Sequence, residues 1–141
     1  MATDDRSGSR RLDQRRVRVL ADTHALVWGL EDASSLSKAA RRILGEAEVM
    51  VSVASLWELL LKRAKQDALV VDPLAWWGKY VVKADLLVLG IRQTHVLQVG
   101  RLPEFHRDPL DRILIAQAIV ENIPLLSKDR QLSSYGVKIL W

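Results

Sequence analysis

Four carboxylates stand where short apolar runs give way to helix-like sequence: Asp22, Glu58, Asp111 and Asp129. Asp22 directly follows the run over 17–21, and Glu58 lies about one turn into the helical pattern that follows 49–52. Asp111 falls in the first turn of a helix opening at Pro109, and Asp129 follows the run over 124–127. Brought together, such groups repel one another and raise each other's pKa values. A divalent cation removes that penalty, and carboxylate oxygens suit Mg²⁺ or Mn²⁺. The absence of cysteine and the presence of only three histidines leave little for zinc. The chemistry expected of the set is phosphodiester hydrolysis, in which a bound ion activates a water and offsets charge on the phosphoryl oxygens.

Each acid alone also has a structural explanation. Asp22 and Asp129 can cap the helices that follow them. Glu58 follows Ser55 in an S-x-x-E capping-box pattern, with Lys62 four residues on as an ion-pair partner. Asp111 is harder to account for. With Asp108 as N-cap and Pro109 at the first helical position, it shares a stripe with Leu114, Ile115 and Ala118, the face expected against a sheet. An isolated carboxylate there is costly unless it is hydrogen-bonded or bound to a cation. The convergence of all four acids carries the metal reading.

Convergence requires a particular set of elements. Apolar runs at 17–21, 49–52, 86–91, 124–127 and 137–140 read as buried strands. Helical patterns lie between them at 24–30, 37–47 and 53–67, from Pro73, and at 93–100, 109–122 and 129–133. Residues 102–107 read as a turn. Such alternation predicts a three-layer α/β domain with a mainly parallel central sheet of four to five strands flanked by helices. In such folds, catalytic groups gather at the carboxyl ends of the strands, where all four acids fall.

The 141 residues make one domain's worth of chain, 49% hydrophobic and 27% charged, an ordinary globular balance. The formal charge of +4 is unevenly spread: residues 1–18 hold six arginines against three aspartates, and the rest of the chain is close to neutral. Basicity therefore does not by itself indicate nucleic-acid binding. Residues 1–16 read as a disordered basic leader ahead of a folded unit over 17–141. No apolar run reaches the length of a membrane span, and the N-terminus lacks the apolar core of a secretory signal. With no cysteine, a reducing cytoplasm is the expected setting.

Three segments resemble the PIN-domain family, in particular the VapC-type toxins of bacterial toxin–antitoxin pairs. They are VLADTHALVWGL (19–30), VSVASLWELLLK (51–62) and FHRDPLDRILIAQA (105–118), the last followed closely by PLLSKDRQLSSYGVKIL (124–140). The resemblance places the family's four acidic positions on Asp22, Glu58, Asp111 and Asp129, with Asp108 at a further acidic position of the subgroup. Ser127 stands where the family usually has Thr, and Lys128 where Arg is frequent. The resemblance implies an endoribonuclease using Mg²⁺ or Mn²⁺ and restrained by a cognate antitoxin, with a homodimer also in view.

The flanking residues carry weaker expectations. His24 and His106 could touch phosphate or metal, although a structural, hydrogen-bonded histidine is the plainer reading; His95 has no motif around it. Arg107, Arg112, Lys128 and Arg130 flank the acids and could contact an RNA backbone, balance the acidic cluster or lie in water. Five tryptophans allow base stacking. Trp57 falls at helical spacing with Val53, Leu56, Leu60 and Leu61, which points to core or interface packing. Of the adjacent Trp76 and Trp77, one is expected to stay exposed.

Two other functions compete. A receiver-like phosphoacceptor domain also gathers acids after strands, but it needs paired acids after the first strand, where Asp22 is flanked by Ala21 and Thr23. It also needs an acid at the end of the middle strand, where Gly90 and Ile91 stand. A non-catalytic RNA- or protein-binding module of the same fold would show a lost acid, and none is lost.

Overall fold

The computed structural model describes residues 16–105 and 107–141. The expected leader lies outside the described residues except for Arg16, and His106 lies outside them too. Arg16 is anchored, its guanidinium donating to the carbonyls of Glu46 at 2.7 Å and Ala47 at 3.0 Å.

The strands form where the apolar runs fall: β1 (Arg18–Ala21), β2 (Glu48–Ser52), β3 (Leu87–Leu89), β4 (Leu125–Leu126) and β5 (Ile139–Leu140). All neighbours pair in parallel, in the order β3-β2-β1-β4-β5. A parallel sheet is covered on both faces, so its strands read as continuous apolar runs rather than alternating ones. The alternation survives in where the side chains go. Leu20, Met50 and Leu125 join one core cluster, while Ala21, Val51 and Leu126 join the other.

The helices make the outer layers. They are α1 (Thr23–Glu31), α2 (Lys38–Glu46), α3 (Val53–Lys62), α4 (Pro73–Trp77), α5 (Gln93–Val99) and α6 (Pro109–Glu121), with a 3₁₀ turn at Arg130–Tyr135. Residues of α1, α2 and α4 pack on the face of Ala21, and residues of α6 on the face of Leu20. α6 is buried on every side from Arg112 to Ala118 because α5 and α3 enclose it above the sheet. It stops at Asn122, whose left-handed backbone (φ 57°) turns the chain out. This is the expected three-layer α/β fold, with five parallel strands.

Several details differ from the sequence reading. α3 ends at Lys62 rather than near Asp67, because residues 63–68 are all exposed and bury no apolar face. Its N-cap is Ser52, whose hydroxyl accepts from the Ala54 N–H at 3.0 Å. Ser55 therefore sits inside the helix, and the capping box proposed for Ser55 and Glu58 does not exist. Trp57 is 53% exposed, on an outward stripe with Val53 and Leu61, so it is not part of the core. Trp76 and Trp77 are both buried. Their short helix packs on α3 and runs on into a wide π turn (Gly78–Val82), so sides about 100° apart are both covered.

The sheet order sets where a site can form. The chain starts in the central β1, moves outward to β3, then crosses back to β4 on the other side of β1. The carboxyl ends of β1 and β4 thus flank the point where the winding reverses, the usual ligand crevice of an open α/β sheet. A backbone bond from the Asp22 N–H to the Leu126 carbonyl, 3.0 Å, ties the two ends together.

Candidate active site

The residues after β1 and β4 are locked by local hydrogen bonding. Asp22 caps α1, its Oδ1 accepting from the Ala25 N–H at 2.8 Å. Ser127 is fully buried behind it and hydrogen-bonds its carboxylate. The same hydroxyl accepts from the Asp129 N–H at 3.1 Å. Asp129 in turn caps the 3₁₀ turn, accepting from the Gln131 N–H at 3.1 Å. Capping and convergence are therefore not alternatives here, since each cap uses one carboxylate oxygen and fixes the direction of the side chain.

α3 and α6 supply the remaining acids. Glu58 is buried, and its Oε2 pairs with Lys62 Nζ at 2.9 Å, one turn further along the helix. α6 opens with Asp108 accepting from the Leu110 N–H at 2.9 Å and Pro109 in the first turn, which places the partly buried Asp111 at the third helical position. All four acids line one cavity of about 260 Å³, together with Thr23, His24, Lys62, Asp108, Ser127 and Leu132. The four acids singled out in the sequence thus meet at one place.

Electrostatics make the cavity tense. Burial pushes the Asp22 carboxyl above its ordinary pKa, and the nearby Glu58 charge adds to the rise, against the lowering effects of Ser127, the Ala25 N–H and His24. Burial also opposes the Lys62 ammonium. The hydrogen bond and charge of Glu58, with the charges of Asp67 and Asp108, outweigh it, and the Lys62 pKa is raised. Among the described residues no three His, Asp or Glu side chains form a ready-made metal site. The donors nevertheless fit a hard divalent ion. They are oxygens on a shared cavity, and one of them is held above its usual pKa by burial beside another acid. Lys62 supplies the positive charge at Glu58 in the arrangement seen here.

Of the neighbouring residues, Arg112 departs from the sequence reading, and the others take places that reading left open. Arg112 does not lie in water. It is buried and donates to the carbonyls of Pro103 at 2.8 Å and Val99 at 3.1 Å, pinning the turn ahead of α6. His95 is fully buried, accepting from the Arg92 N–H at 2.9 Å and meeting Glu121 at 2.9 Å, away from the cavity. His24 lines the cavity and lies 5.4 Å from the Trp28 ring. Thr23 was not singled out by the sequence. Its hydroxyl donates to Ser55 at 3.0 Å and joins α1 to α3 beside the acids. Lys62 was read only as a helix ion-pair partner, and its i+4 spacing from Glu58 was the signal that it belongs to the cavity.

Comparison with known proteins agrees with the geometry. The PIN domain family pattern matches residues 19–138. The chain belongs to the PIN domain family. It is 30% identical over 120 residues to Ribonuclease VapC22 of Mycobacterium tuberculosis, covering 83% of this chain and 91% of that protein. Among solved structures, the fold is similar to VapBC of Salmonella typhimurium bound to DNA (TM-score 0.65, 16% identity, 88% of this chain and 97% of that one). It is also similar to VapC20 of M. tuberculosis, a sarcin-ricin loop cleaving toxin (TM-score 0.60, 19% identity, 84% and 95%). At these identities the structural likeness establishes the fold. PIN membership removes the receiver-like reading, in keeping with the lack of an acid after β3. No helix among the described residues of this PIN domain is long and apolar enough to cross a membrane.

Proposed function

We propose that this PIN domain is a metal-dependent endoribonuclease and the toxin of a toxin–antitoxin pair. The observation that carries the reading is the single cavity lined by Asp22, Glu58, Asp111 and Asp129 with Ser127 behind them. The relative Ribonuclease VapC22 supports the activity. Solved neighbours such as the toxin–antitoxin complex from Klebsiella pneumoniae support an antitoxin partner. The exposed stripe of Val53, Trp57 and Leu61 supports a protein contact on α3, with the antitoxin or with a second copy.

In this reading the four acids hold Mg²⁺ or Mn²⁺. What the ion adds when bound is Lewis acidity toward the phosphoryl oxygens and easier deprotonation of a water. Ser127 keeps Asp22 and the backbone of Asp129 in register. Lys62 neutralises Glu58 in the arrangement seen here, and with Glu58 engaged by an ion its ammonium would be available to a phosphate oxygen. Asp108 and Pro109 hold the first turn of α6, and with it Asp111.

The test is cleavage of total RNA by the purified protein with Mg²⁺, Mn²⁺ or chelator, with the cut ends mapped. Discrete, metal-dependent cuts are expected. Asp111→Asn should lower the rate by at least about 100-fold while circular dichroism stays native. Undiminished cleavage by that variant, or cleavage in chelator, would sink the mechanism. Tight antitoxin binding without cleavage under any ion would favour the non-catalytic module.

A further inference from the structure

A second cavity of about 330 Å³ opens beside the first and shares Asp22, His24, Ser127 and Asp129 with it. Its other lining residues are Trp28 and Lys128. Trp28 lies one turn beyond His24 on α1, only partly buried, with Lys128 Nζ 5.8 Å above its ring. Its ring centre lies 6.0 Å from that of Trp141 in an edge-on arrangement, and Trp141 with Arg130 lines a further hollow of about 240 Å³. Leading away from the acids, the surface thus alternates aromatic rings with exposed cations. The metal reading makes no use of any of these groups.

From this geometry we infer that Trp28 and Lys128 form a nucleotide subsite that holds one unpaired base of the RNA beside the scissile phosphate. The inference rests on the ribonuclease reading of the adjoining cavity. A hollow of this size accommodates a single nucleoside, and its continuity with the acids puts that nucleoside next to the reacting phosphate. An unpaired base presents a π face that stacks on indole whatever its identity, so the subsite selects a single-stranded, splayed nucleotide rather than a sequence. Lys128 is exposed on a flexible stem. As the base takes the Trp28 face, the ammonium moves from the ring to the flanking phosphate, an exchange of one partner of the cation for a stronger one. Arg130, also exposed, extends the same positive rim toward Trp141.

The protein-peptide alternative fits the charges less well. The rim offers Lys128 and Arg130 around a cavity whose acids would be neutralised by an ion, an arrangement that suits a chain bearing one negative charge per residue.

The experiment compares Trp28→Leu, Trp28→Phe and Lys128→Ala with the parent protein, using as probe the RNA fragment that total-RNA mapping shows to be cut, in Mn²⁺. Leu keeps the apolar contact with Trp141 but offers no π face, whereas Phe keeps both. Trp28→Leu should lower kcat/KM about tenfold or more, chiefly through KM, and Trp28→Phe should recover most of that loss. Lys128→Ala should weaken RNA binding and reduce its salt dependence by about one phosphate contact. Equal kcat/KM for the Leu and Phe variants, with thermal unfolding matching the parent, overturns the subsite while leaving the ribonuclease reading intact. Unchanged cleavage together with loss of antitoxin binding in Trp28→Leu also overturns it and gives the hollow to a protein partner. Failure of the parent to cut or bind RNA at all overturns both readings.

Discussion

Asp22 is the residue at which structure and chemistry pull hardest against each other. It caps a helix, closes the β1–β4 seam and sits beside Glu58, and burial keeps its pKa above the ordinary carboxylate value. A carboxyl with a raised folded-state pKa binds protons more tightly in the native than in the unfolded chain. Its contribution to stability is therefore fully present below the unfolded pKa and is lost as pH rises through the folded one. Asn keeps the capping oxygen and carries no charge at any pH. In chelator, Asp22→Asn should unfold at a higher temperature than the parent at pH 7–8, and the gap should close as pH falls into the ordinary carboxylate range. A gap that widened on acidification would show that burial does not govern this group. The same residue shows what a sequence can carry. Its position after an apolar run was enough to place it at the carboxyl edge of the sheet. The destination of Arg112 was invisible, because it donates to carbonyls of a turn whose path only the fold defines.

Between elements, a buried polar clasp sets the spacing of the two helices that carry Glu58 and Asp111. Ser52, the cap of α3, donates to Gln117 Oε1 of α6 at 2.6 Å, and Gln117 Nε2 donates to the Gly90 carbonyl at 3.1 Å; neither side chain is exposed. Gln117→Leu leaves the Ser52 hydroxyl without its acceptor and the Gly90 carbonyl without a donor, which costs about 1–3 kcal/mol for each buried group left unsatisfied. The double variant Ser52→Ala with Gln117→Leu should lose less stability in urea unfolding than the two single changes added together. Strict additivity would mean the clasp is not a unit. Ser52 also explains a misreading. Ser52 and Ser55 are equally good caps by type, and the choice of Ser52 is made by a partner 65 positions away. Strand and helix locations were legible because a parallel sheet demands continuous apolar runs and because Pro73 and Asp108 with Pro109 mark helix starts. The burial of both Trp76 and Trp77 was not legible, since it depends on a π turn that no local pattern specifies.

For the molecule as a whole, the candidate site is a shared property of four distant segments. An ion that binds only when all four are in place binds the native state and not the unfolded chain. At about 100 times its dissociation constant such an ion adds about 2.7 kcal/mol to stability. For a domain of this size that shift corresponds to roughly 5–15 °C. Mn²⁺ titrated into the chelator-treated protein should raise the melting temperature on this scale, and Asp111→Asn should remove most of the rise. An equal rise in that variant would place ion binding elsewhere on the surface.

The turn ahead of α6 divides these donors evenly. Pro103, Glu104, Phe105, Arg107 and Asp108 are exposed, and they separate a part of the chain holding Asp22 and Glu58 from a part holding Asp111 and Asp129. Strand pairing of β1 with β4 and the packing of α5 on α6 both run across that division. A break in this stretch would leave two complementary fragments, each with two of the four acids. On the ribonuclease reading proposed above, each would be inert alone and their recombination would be read directly as the return of RNA cleavage.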